Sequence, residues 1–598
     1  MELYSFDLQF LRRLFKLITY LFQRKVVHFL FLFLLFLALV EEFVVYRVGL
    51  ITSEYYKTLG EKNWAGFWLH TVKAVSLIFA ISFVKSSREY TASVLYVSWR
   101  QLLTQELQKL YFAGFNYYKI NVVNCHLDNP DQRITQDVEK MCKALSTAIP
   151  TIIVSPFTIA YYSYTSYETS GIIGPGAILL FFVIGTVINK FLMSPVVNKV
   201  FLQEKYEGFF RFKHMHLRTY AESVAFQDAG HTELSHTSHK LASLVEVQQQ
   251  LFIKQYPLSL SVNLFNYLGS IISFMVLAVP LFAGKYDSLS GPDLSALISK
   301  NVFVSIYLIS CFSQLVDLST VFTTIAGTTH RIGELHEYLT MLNERQNEVS
   351  HLKANSELDS DDGETLFQLS EVSYMPPNGN TPLVEGLTFS VVKGTNIVVM
   401  GASSSGKTSL LRVLKNLWPI SGGSLQRRIT FTPSQVLFLP QKPVMTDGSL
   451  YQQIIFPLEE AILYQSSLER KQEVERYLSL TDLNHILDRA KGLDTTVEWN
   501  WEDVLSPGEM QRLSFVRLFY HCPQLAVLDE ATSAVGQEME EVLYRQCSNL
   551  GITLLSVGHR QTLTKYHDKI LWFDGKGGWQ FRNLQPNKMG DTVPGVST

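Results

Sequence analysis

A glycine-rich segment at residues 397–408 has the residue types and spacing of a phosphate-binding loop. An apolar run leads into Gly401, four small residues and then Gly406-Lys407-Thr408. This is the P-loop pattern G-x-x-x-x-G-K-[ST], in the strand–loop–helix context that the motif requires. Glycines permit close backbone approach, and successive N–H groups at a helix N-terminus attract phosphate. Lys407 is placed to contact the β- and γ-phosphates of a nucleotide, and Thr408 is placed to hold Mg²⁺.

Polar residues at the ends of three later apolar runs suit nucleotide hydrolysis. Asp529 and Glu530 end one run, where Asp529 can hold Mg²⁺ and Glu530 can act as general base. Two carboxylates buried there for packing alone would be costly. Gln441 follows a second run and can reach Mg²⁺ or the attacking water. His559 follows a third run and can contact the γ-phosphate.

Tyr374 lies ahead of the P-loop in a predicted strand. An aromatic side chain at this point can stack on an adenine ring, and such stacking contributes roughly 1–3 kcal/mol per base. The alternative is an aromatic residue that packs within the strand's own core. The sequence does not separate these two interpretations.

The composition indicates several domains and excludes some classes of function. The chain has 598 residues, a net charge of −3 and 18% charged residues, so nothing in it points to nucleic acid. Its five cysteines include no C-x-x-C pair, which argues against a disulfide framework or a zinc site. The first 23 residues mix charges into an amphipathic pattern without a small-residue cleavage site, so we do not expect a cleavable signal.

Long uncharged runs predict six transmembrane helices in the first part of the chain, because a span needs roughly 20 mainly apolar residues. The predicted spans cover residues 26–50, 67–84, 148–167, 172–189, 255–284 and 301–329. Lysine and arginine cluster before the first span and after the second and fourth, whereas the loop between the third and fourth has neither. The positive-inside rule therefore places residues 88–144, residues 190–254, the N-terminus and everything after residue 330 in the cytosol.

The first residues predict a separate element. Residues 7–23 have apolar side chains at helical spacing with Arg12, Arg13 and Lys16 between them, which is typical of a basic helix lying on a membrane surface. An extension of the first span is the alternative. The predicted domains are thus a basic helix at 1–25, a transmembrane domain at 26–330, a linker at 331–365 and an α/β nucleotide-binding domain at 366–598.

Ionisable residues that fall inside predicted spans include Glu41, Glu42, Lys73 and Asp317. Placing such groups in a bilayer costs free energy, and they usually face a cavity or a partner. They are therefore candidates for lining a pathway through the membrane. The alternative is that they reach an interface or pair with one another for structural reasons.

The motifs occur in one order that resembles the nucleotide-binding domain of an ATP-binding cassette (ABC) transporter. That order is the P-loop, a glutamine after a strand, LSPGE at 505–509, LDEATSA at 528–534 and a strand-terminal histidine. With six spans in front, the chain is similar to an exporter-type half-transporter. The resemblance implies a six-span α-helical membrane domain followed by an α/β P-loop ATPase domain.

Further stretches resemble subfamily D of these transporters, the branch that handles fatty acyl-CoA and cobalamin. They are NPDQRITQDV at 129–138, YAESVAF at 220–226 and WNWEDVLSPGEMQR at 499–512. The proline in LSPGEMQRLSF and the run AGTTHRIGEL are most similar to its lysosomal, cobalamin-exporting branch.

The resemblance implies roles for individual residues. The segment that would hold the phosphates is Gly401, Ala402, Ser403, Ser404, Ser405, Gly406, Lys407, Thr408 and Ser409. Ser506 and Gly508 would contact the γ-phosphate of ATP held by a second subunit, and Gln441 would couple the Mg²⁺ site to the membrane domain. Two departures from the family pattern, Pro507 for glycine and Gly536 for aspartate, bear on the rate of hydrolysis.

The function implied by this resemblance is ATP-driven export of cobalamin from the lysosomal lumen to the cytosol by a homodimer with Mg²⁺ as cofactor. The same resemblance implies a lysosomal membrane partner of the LMBD type and a location that extends to the endoplasmic reticulum. Two alternatives stay open at this point. One is a peroxisomal fatty acyl-CoA transporter, and the other is a nucleotide-binding membrane scaffold that transports nothing.

Overall fold

A computed structural model describes residues 8–123, 127, 129–354, 364–377, 379, 381–458 and 468–584. The chain divides into two compact units. The first comprises Met1–Gly114 and Leu127–Arg345, and the second comprises Phe115–His126 and Gln346–Thr598. The assignment of the short segment Phe115–His126 to the second unit was not predicted from the sequence. Within that unit, Trp418 Nε1 donates a hydrogen bond of 3.0 Å to the hydroxyl of Tyr118.

The first unit is helical. Its long helices are α1 (Leu8–Leu21), α2 (Lys25–Gly60), α3 (Trp64–Phe112), α4 (Val138–Ser170), α5 (Ile173–Thr219), α6 (Gly230–Phe282) and α7 (Gly291–Ala354). Shorter helical turns cover Ala113–Phe115, Pro130–Gln132, Arg133–Asp137 and Ala221–Phe226. Two further turns, Asn116–Tyr118 and Lys119–Val123, belong to the second unit. Six of the described helices, α2 to α7, are long and apolar enough to cross a membrane, so the predicted number of spans is confirmed.

Local signals set some of these helix ends. Asn63 precedes α3, and its side-chain oxygen accepts a hydrogen bond of 2.9 Å from the Gly66 N–H, as an N-cap does. Gly171 follows α4 with a φ of 66°, a backbone conformation that glycine adopts without steric cost. These two caps separate α3 from α2 and α4 from α5.

The N-terminal helix α1 is a separate element, so the alternative of an extended first span is wrong. Arg24 has an extended backbone between α1 and α2. One face of α1 is buried through Phe10, Leu17 and Leu21. Arg13 anchors the helix to α7 through an ion pair of 2.8 Å with Glu337. The other face exposes Leu8, Leu11 and Phe15. That exposed apolar face suits the predicted position on a membrane surface.

Lys73, predicted as a candidate for a membrane pathway, instead has a structural partner. Its Nζ lies 2.6 Å from a carboxylate oxygen of Glu54, so α2 and α3 are joined by an ion pair. His70, one turn away, contacts the same carboxylate at 2.9 Å. The side chain of Asp317 lies outside the described part of the chain.

The second unit is an α/β domain, as predicted. Its strands are β1 (Thr365–Tyr374), β2 (Val384–Val392), β3 (Ile397–Gly401), β4 (Gly422–Arg427), β5 (Val436–Leu439), β6 (Gly448–Ser449), β7 (Thr496–Val497), β8 (Leu525–Asp529), β9 (Thr553–Val557), β10 (Lys569–Phe573) and β11 (Trp579–Asn583). Its helices are α8 (Lys407–Leu414), α9 (Leu450–Ile455), α10 (Leu468–Leu480), α11 (Asn484–Arg489), α12 (Trp501–Val504), α13 (Pro507–His521) and α14 (Gln537–Asn549), with a 3₁₀ turn at Gln561–Tyr566.

The main sheet of this unit has the order β11-β10-β3-β9-β8-β5. All pairs are parallel except β10 with β11. An antiparallel sheet with the order β2-β1-β4 and a two-stranded pair of β6 and β7 complete the described strands. Strands β8 and β9 are buried along their whole length, which explains their continuous apolar sequences.

The register of the parallel strands brings their carboxyl ends to one edge. Asp529 at the end of β8 lies beside Val557 at the end of β9, and Leu439 at the end of β5 lies beside Leu528. The loops that follow these strands therefore emerge together. Ligands of open α/β sheets bind at such a carboxyl edge.

Candidate functional site

The P-loop connects β3 to α8 through a backbone that needs its glycines. Gly401 has a φ of 144°, and a Cβ there would lie 2.2 Å from the carbonyl oxygen of Phe573. Gly406, with a φ of 93°, immediately precedes α8. Side chains larger than hydrogen would clash or strain the loop at these two positions. The loop therefore presents main-chain N–H groups at the helix N-terminus, where phosphate binds.

Two side chains at the start of α8 contact the polar groups expected of a nucleotide site. Lys407 Nζ donates hydrogen bonds of 3.1 Å to the Gly401 carbonyl and 2.6 Å to the Ala402 carbonyl. Burial lowers the pKa of Lys407. Thr408 donates from Oγ1 to Oδ1 of Asp529 at 3.1 Å, and burial raises the pKa of that carboxyl. A hydroxyl beside a carboxylate is an all-oxygen donor set that Mg²⁺ favours, so these residues fit the ion.

The three predicted catalytic residues follow different strands, and Gln441 and His559 both contact Glu530. Gln441 Nε2 donates to one carboxylate oxygen at 2.9 Å, and His559 Nε2 lies 3.2 Å from the other. Glu530 has a φ of 46°, and its N–H bonds the Val557 carbonyl at 2.9 Å. The left-handed backbone turns the side chain out of the strand direction. A carboxylate held from both sides in this way is suited to accept a proton from a water molecule.

Tyr374 does not stack on an adenine ring, so that prediction is wrong. Its side chain has 0% exposure in β1 and offers no free face. Its hydroxyl donates a hydrogen bond of 3.1 Å to the Gly406 carbonyl. Tyr374 is therefore a buried core residue of β1, as the alternative interpretation proposed. Its hydrogen bond to Gly406 supports the P-loop.

The P-loop borders a cavity of about 480 Å³. Its lining comprises Pro376, Leu383, Ser403, Ser404, Ser405, Gly406, Lys407, Thr408, Ser409, Trp418, Glu530 and His559. Ser506 and Gly508 instead line a second cavity of about 500 Å³ with Pro507, Arg512, Ala534, Val535, Gly536 and Met539. The two cavities share no lining residue among those described, so the structure separates the predicted phosphate loop from the predicted signature residues.

The signature residues form the beginning of α13. Ser506 caps the helix through reciprocal hydrogen bonds with Glu509: its Oγ accepts from the Glu509 N–H at 3.3 Å, and its own N–H donates to the Glu509 carboxylate at 2.8 Å. Pro507 occupies the first helical position, where its missing N–H would have no intrahelical partner in any case. At Gly508 a Cβ would lie 2.9 Å from the Ala534 carbonyl oxygen. Pro507 therefore costs the helix little stability. Gly508 permits close contact with the loop after β8.

Sequence reasoning missed the residues that hold that loop, at positions 533–536. Arg560 donates to the carbonyls of Ser533 at 2.8 Å and Val535 at 2.9 Å, and Gln511 accepts from the Ala534 N–H at 2.9 Å. Arg560 directly follows His559, and Gln511 lies on the signature helix α13. The proximity of both residues to recognised motifs was the only signal in the sequence.

A further cavity of about 370 Å³ lies among α2, α3, α4 and α7 in the first unit. Glu41 and Glu42 line it, as predicted for a pathway, and both also have partners. Arg88 Nε lies 2.8 Å from Glu41, and the Tyr307 hydroxyl donates a hydrogen bond of 2.9 Å to Glu42. The structural pairing is therefore confirmed, and the role of these carboxylates in a pathway stays a prediction.

The fold and the site together define a class, a membrane protein whose α/β domain binds and hydrolyses ATP. Family models agree with this assignment in both parts of the chain. Residues 17–282 match the ABC transporter transmembrane region 2, and residues 384–533 match the ABC transporter domain.

Curated relatives place the chain more narrowly. It is 47% identical to the human lysosomal cobalamin transporter ABCD4 over 97% of each chain. It is 46% identical to the mouse protein of the same name over 93% of each. The human ATP-binding cassette sub-family D member 3 is 30% identical over 88% of this chain and 81% of its own length. The chain therefore belongs to sub-family D of the ABC transporters, as its motifs predicted.

Proposed function

We propose that the protein uses ATP to export cobalamin from the lysosomal lumen to the cytosol. The observation that carries this proposal is the 47% identity to a lysosomal cobalamin transporter along 97% of both chains. Identity falls to 30% for sub-family D member 3, which is named without reference to cobalamin. Since none of these relatives' names refers to a peroxisome or to acyl-CoA, the peroxisomal acyl-CoA alternative has weaker support.

The working unit in this proposal is a homodimer. The signature residue Ser506 and the P-loop line different cavities among the described residues, so Ser506 would serve ATP held by a second copy. ATP at two shared sites would draw the ATPase domains together, and hydrolysis would release them. The linked rigid-body motion would alternate the access of a central cavity.

Within each site, the residues divide the work. Thr408, Asp529 and Gln441 would hold Mg²⁺, which neutralises charge on the β- and γ-phosphates when it is bound. Lys407 and the P-loop N–H groups would orient the phosphates. Glu530 would take the proton of the attacking water, and His559, which contacts Glu530, would lie at the γ-phosphate.

The proposed location is the lysosomal membrane and also the endoplasmic reticulum, and the proposed partner is a lysosomal membrane protein of the LMBD type. The names of the relatives and the six candidate spans support the lysosomal membrane alone. In the bilayer, the exposed apolar face of α1 would contact lipid.

Transport in proteoliposomes tests the proposal. Purified protein is reconstituted with its ATPase domains outward, and radiolabelled cyanocobalamin is loaded inside. We expect ATP-dependent release into the medium, and no release with Lys407→Ala. Palmitoyl-CoA loaded in the same way is the comparison. Release of palmitoyl-CoA alone would replace the proposal with the acyl-CoA alternative, and ATP hydrolysis that neither compound stimulates would favour a non-transporting scaffold.

A further inference from the structure

The cavity among α2, α3, α4 and α7 has a polar lining within candidate membrane spans. Its charged groups are Glu41, Glu42, Lys85 and Arg88. The Glu41–Arg88 ion pair and the hydrogen bond from Tyr307 hold two of the carboxylate oxygens. A carboxylate has about four lone-pair positions, so both groups keep the capacity to accept further hydrogen bonds.

A buried polar side chain in this cavity also has no partner in the part of the chain that the structure describes. Ser155 is only 6% exposed and lines the cavity, yet its hydroxyl has no hydrogen-bond partner among the described residues. The Gln314 amide and the Lys85 ammonium line the cavity too, and both side chains are exposed. Buried polar groups are nearly always hydrogen-bonded in native proteins. The Ser155 hydroxyl is therefore available to a polar group that enters the cavity.

The net charge of the lining residues indicates which chemical class of ligand the cavity can bind. The described lining residues include two acids and two bases, so their formal charges cancel. A ligand with several phosphates, such as an acyl-CoA, requires an excess of cations to leave water. Carboxamides carry no net charge and offer both N–H donors and C=O acceptors. Their N–H groups match the free lone pairs of Glu41 and Glu42, and their carbonyls match Ser155, Gln314 and Lys85.

We propose that this cavity binds the peripheral carboxamide groups of a neutral, amide-rich ligand, with Glu42, Tyr307 and Ser155 as specificity-determining residues. The inference rests on the proposed function, since a corrinoid carries such amides around its ring. A volume of about 370 Å³ is near the lower limit for ligand sites. The cavity therefore holds one edge of the ligand, and the ring lies outside it.

Ligand-stimulated ATP hydrolysis by the full-length protein in lipid nanodiscs tests the site. The probes are cyanocobalamin and palmitoyl-CoA, and each rate is divided by the ligand-free rate of the same variant. We expect Ser155→Ala and Tyr307→Phe to raise the half-saturating cyanocobalamin concentration about five- to tenfold, as for one lost hydrogen bond, without changing the KM for ATP. Ser82→Ala and Tyr164→Phe are the matched controls.

Like the site variants, the two controls each remove one side-chain hydroxyl, at positions in the spans outside the cavity. The Ser82 hydroxyl bonds the carbonyl of Ile78 in its own helix, and Tyr164 is 61% exposed. We expect both to behave as the wild type. Equal half-saturation in the site variants and the controls would overturn the cavity assignment and leave cobalamin transport standing.

Other results separate the two proposals. A folded wild type that hydrolyses ATP without any response to cyanocobalamin would remove the proposed function. If palmitoyl-CoA then stimulated hydrolysis and Ser155→Ala shifted its half-saturation, the cavity would bind a polyanion and the charge argument would fail. No response to either compound would remove both proposals.

Discussion

At the scale of single residues, Glu530 is the proposed general base. Glu530→Gln keeps the shape that contacts Gln441 and His559 but removes the basic carboxylate. We expect hydrolysis to fall at least about 100-fold while ATP stays bound, because general-base catalysis contributes 10²–10⁴. Phosphate release and retention of labelled nucleotide measure the two effects. Glu538→Gln, exposed on α14, is the control, and normal turnover in Glu530→Gln would remove the base assignment.

His567 is a buried group that makes stability depend on pH. Its Nδ1 donates to the Leu563 carbonyl at 2.7 Å, so in the neutral ring Nε2 accepts from the Ser556 hydroxyl at 2.8 Å. Burial lowers the pKa of His567 to about 4, against an ordinary value of 6.5. Between these values the unfolded chain binds a proton and the folded chain does not, so stability falls as pH falls through this window.

The expected loss is about 2 kcal/mol between pH 7 and pH 5. Thermal unfolding of the purified protein, followed across this pH range, measures it. His567→Gln retains hydrogen-bonding groups but does not titrate, so its unfolding temperature should change less with pH. Equal pH dependence in the variant and the wild type would assign the effect to other groups.

At the scale of elements, the helix α14 begins without a side-chain cap. Gly536 is its N-cap with φ −67° and ψ 156°, and a Cβ there would meet nothing within 4 Å. Aspartate would fit and accept hydrogen bonds from the first turn, so we expect Gly536→Asp to stabilise the domain by about 0.5 kcal/mol. Thermal unfolding measures the gain. Gly536→Ala fits equally well but cannot cap, so a similar gain in that variant would contradict the explanation.

The loop at 533–536 depends on the pair formed by Arg560 and the buried carboxylate of Glu540, 3.4 Å apart. Arg560→Ala removes two donors to the loop carbonyls and leaves Glu540 with fewer partners. Since Arg560 is 38% exposed, we expect a modest loss of about 1–2 kcal/mol in stability together with slower ATP hydrolysis.

A second variant separates these two effects. Arg560→Met combined with Glu540→Gln removes the unpaired charge, so stability should recover, but the loop carbonyls stay without donors and hydrolysis should stay slow. Calorimetry and steady-state kinetics of both variants make the comparison. Full recovery of hydrolysis in the double variant would show that the pair serves stability alone.

At the scale of the whole molecule, composite ATP sites predict a specific pattern of complementation. One tagged copy carrying Lys407→Ala is co-purified with a second copy carrying Ser506→Arg. In the comparison dimer, both substitutions lie on one copy and the other copy is wild type. Each shared site then contains one substitution, so neither site is intact. With one substitution on each copy, one shared site combines the altered P-loop with the altered signature residue. The other shared site has neither substitution and stays intact.

We therefore expect hydrolysis by the dimer with the substitutions on separate copies to exceed that of the same-copy dimer. Size-exclusion chromatography with light scattering confirms the stoichiometry before the rates are compared. Equal rates in the two arrangements, or full activity of a monomer, would contradict the shared sites.

The membrane spans and the nucleotide motifs were predictable because their signals are local. A run of apolar residues indicates a helix in lipid whatever it later contacts, and the P-loop binds phosphate through adjacent backbone groups. Thr408 and Asp529 were each predicted from the sequence to hold Mg²⁺, and the structure places their side chains 3.1 Å apart.

The sequence by itself therefore determined the class of this protein, its six spans and the residue types that meet phosphate. Only the tertiary structure decided that Tyr374 is buried beneath the loop, that Arg560 and Gln511 hold residues 533–536, and that Glu41 and Glu42 share a cavity with Ser155. The physical reason is distance along the chain. Burial and long-range hydrogen bonds depend on which remote segments pack together, and no local pattern records that choice.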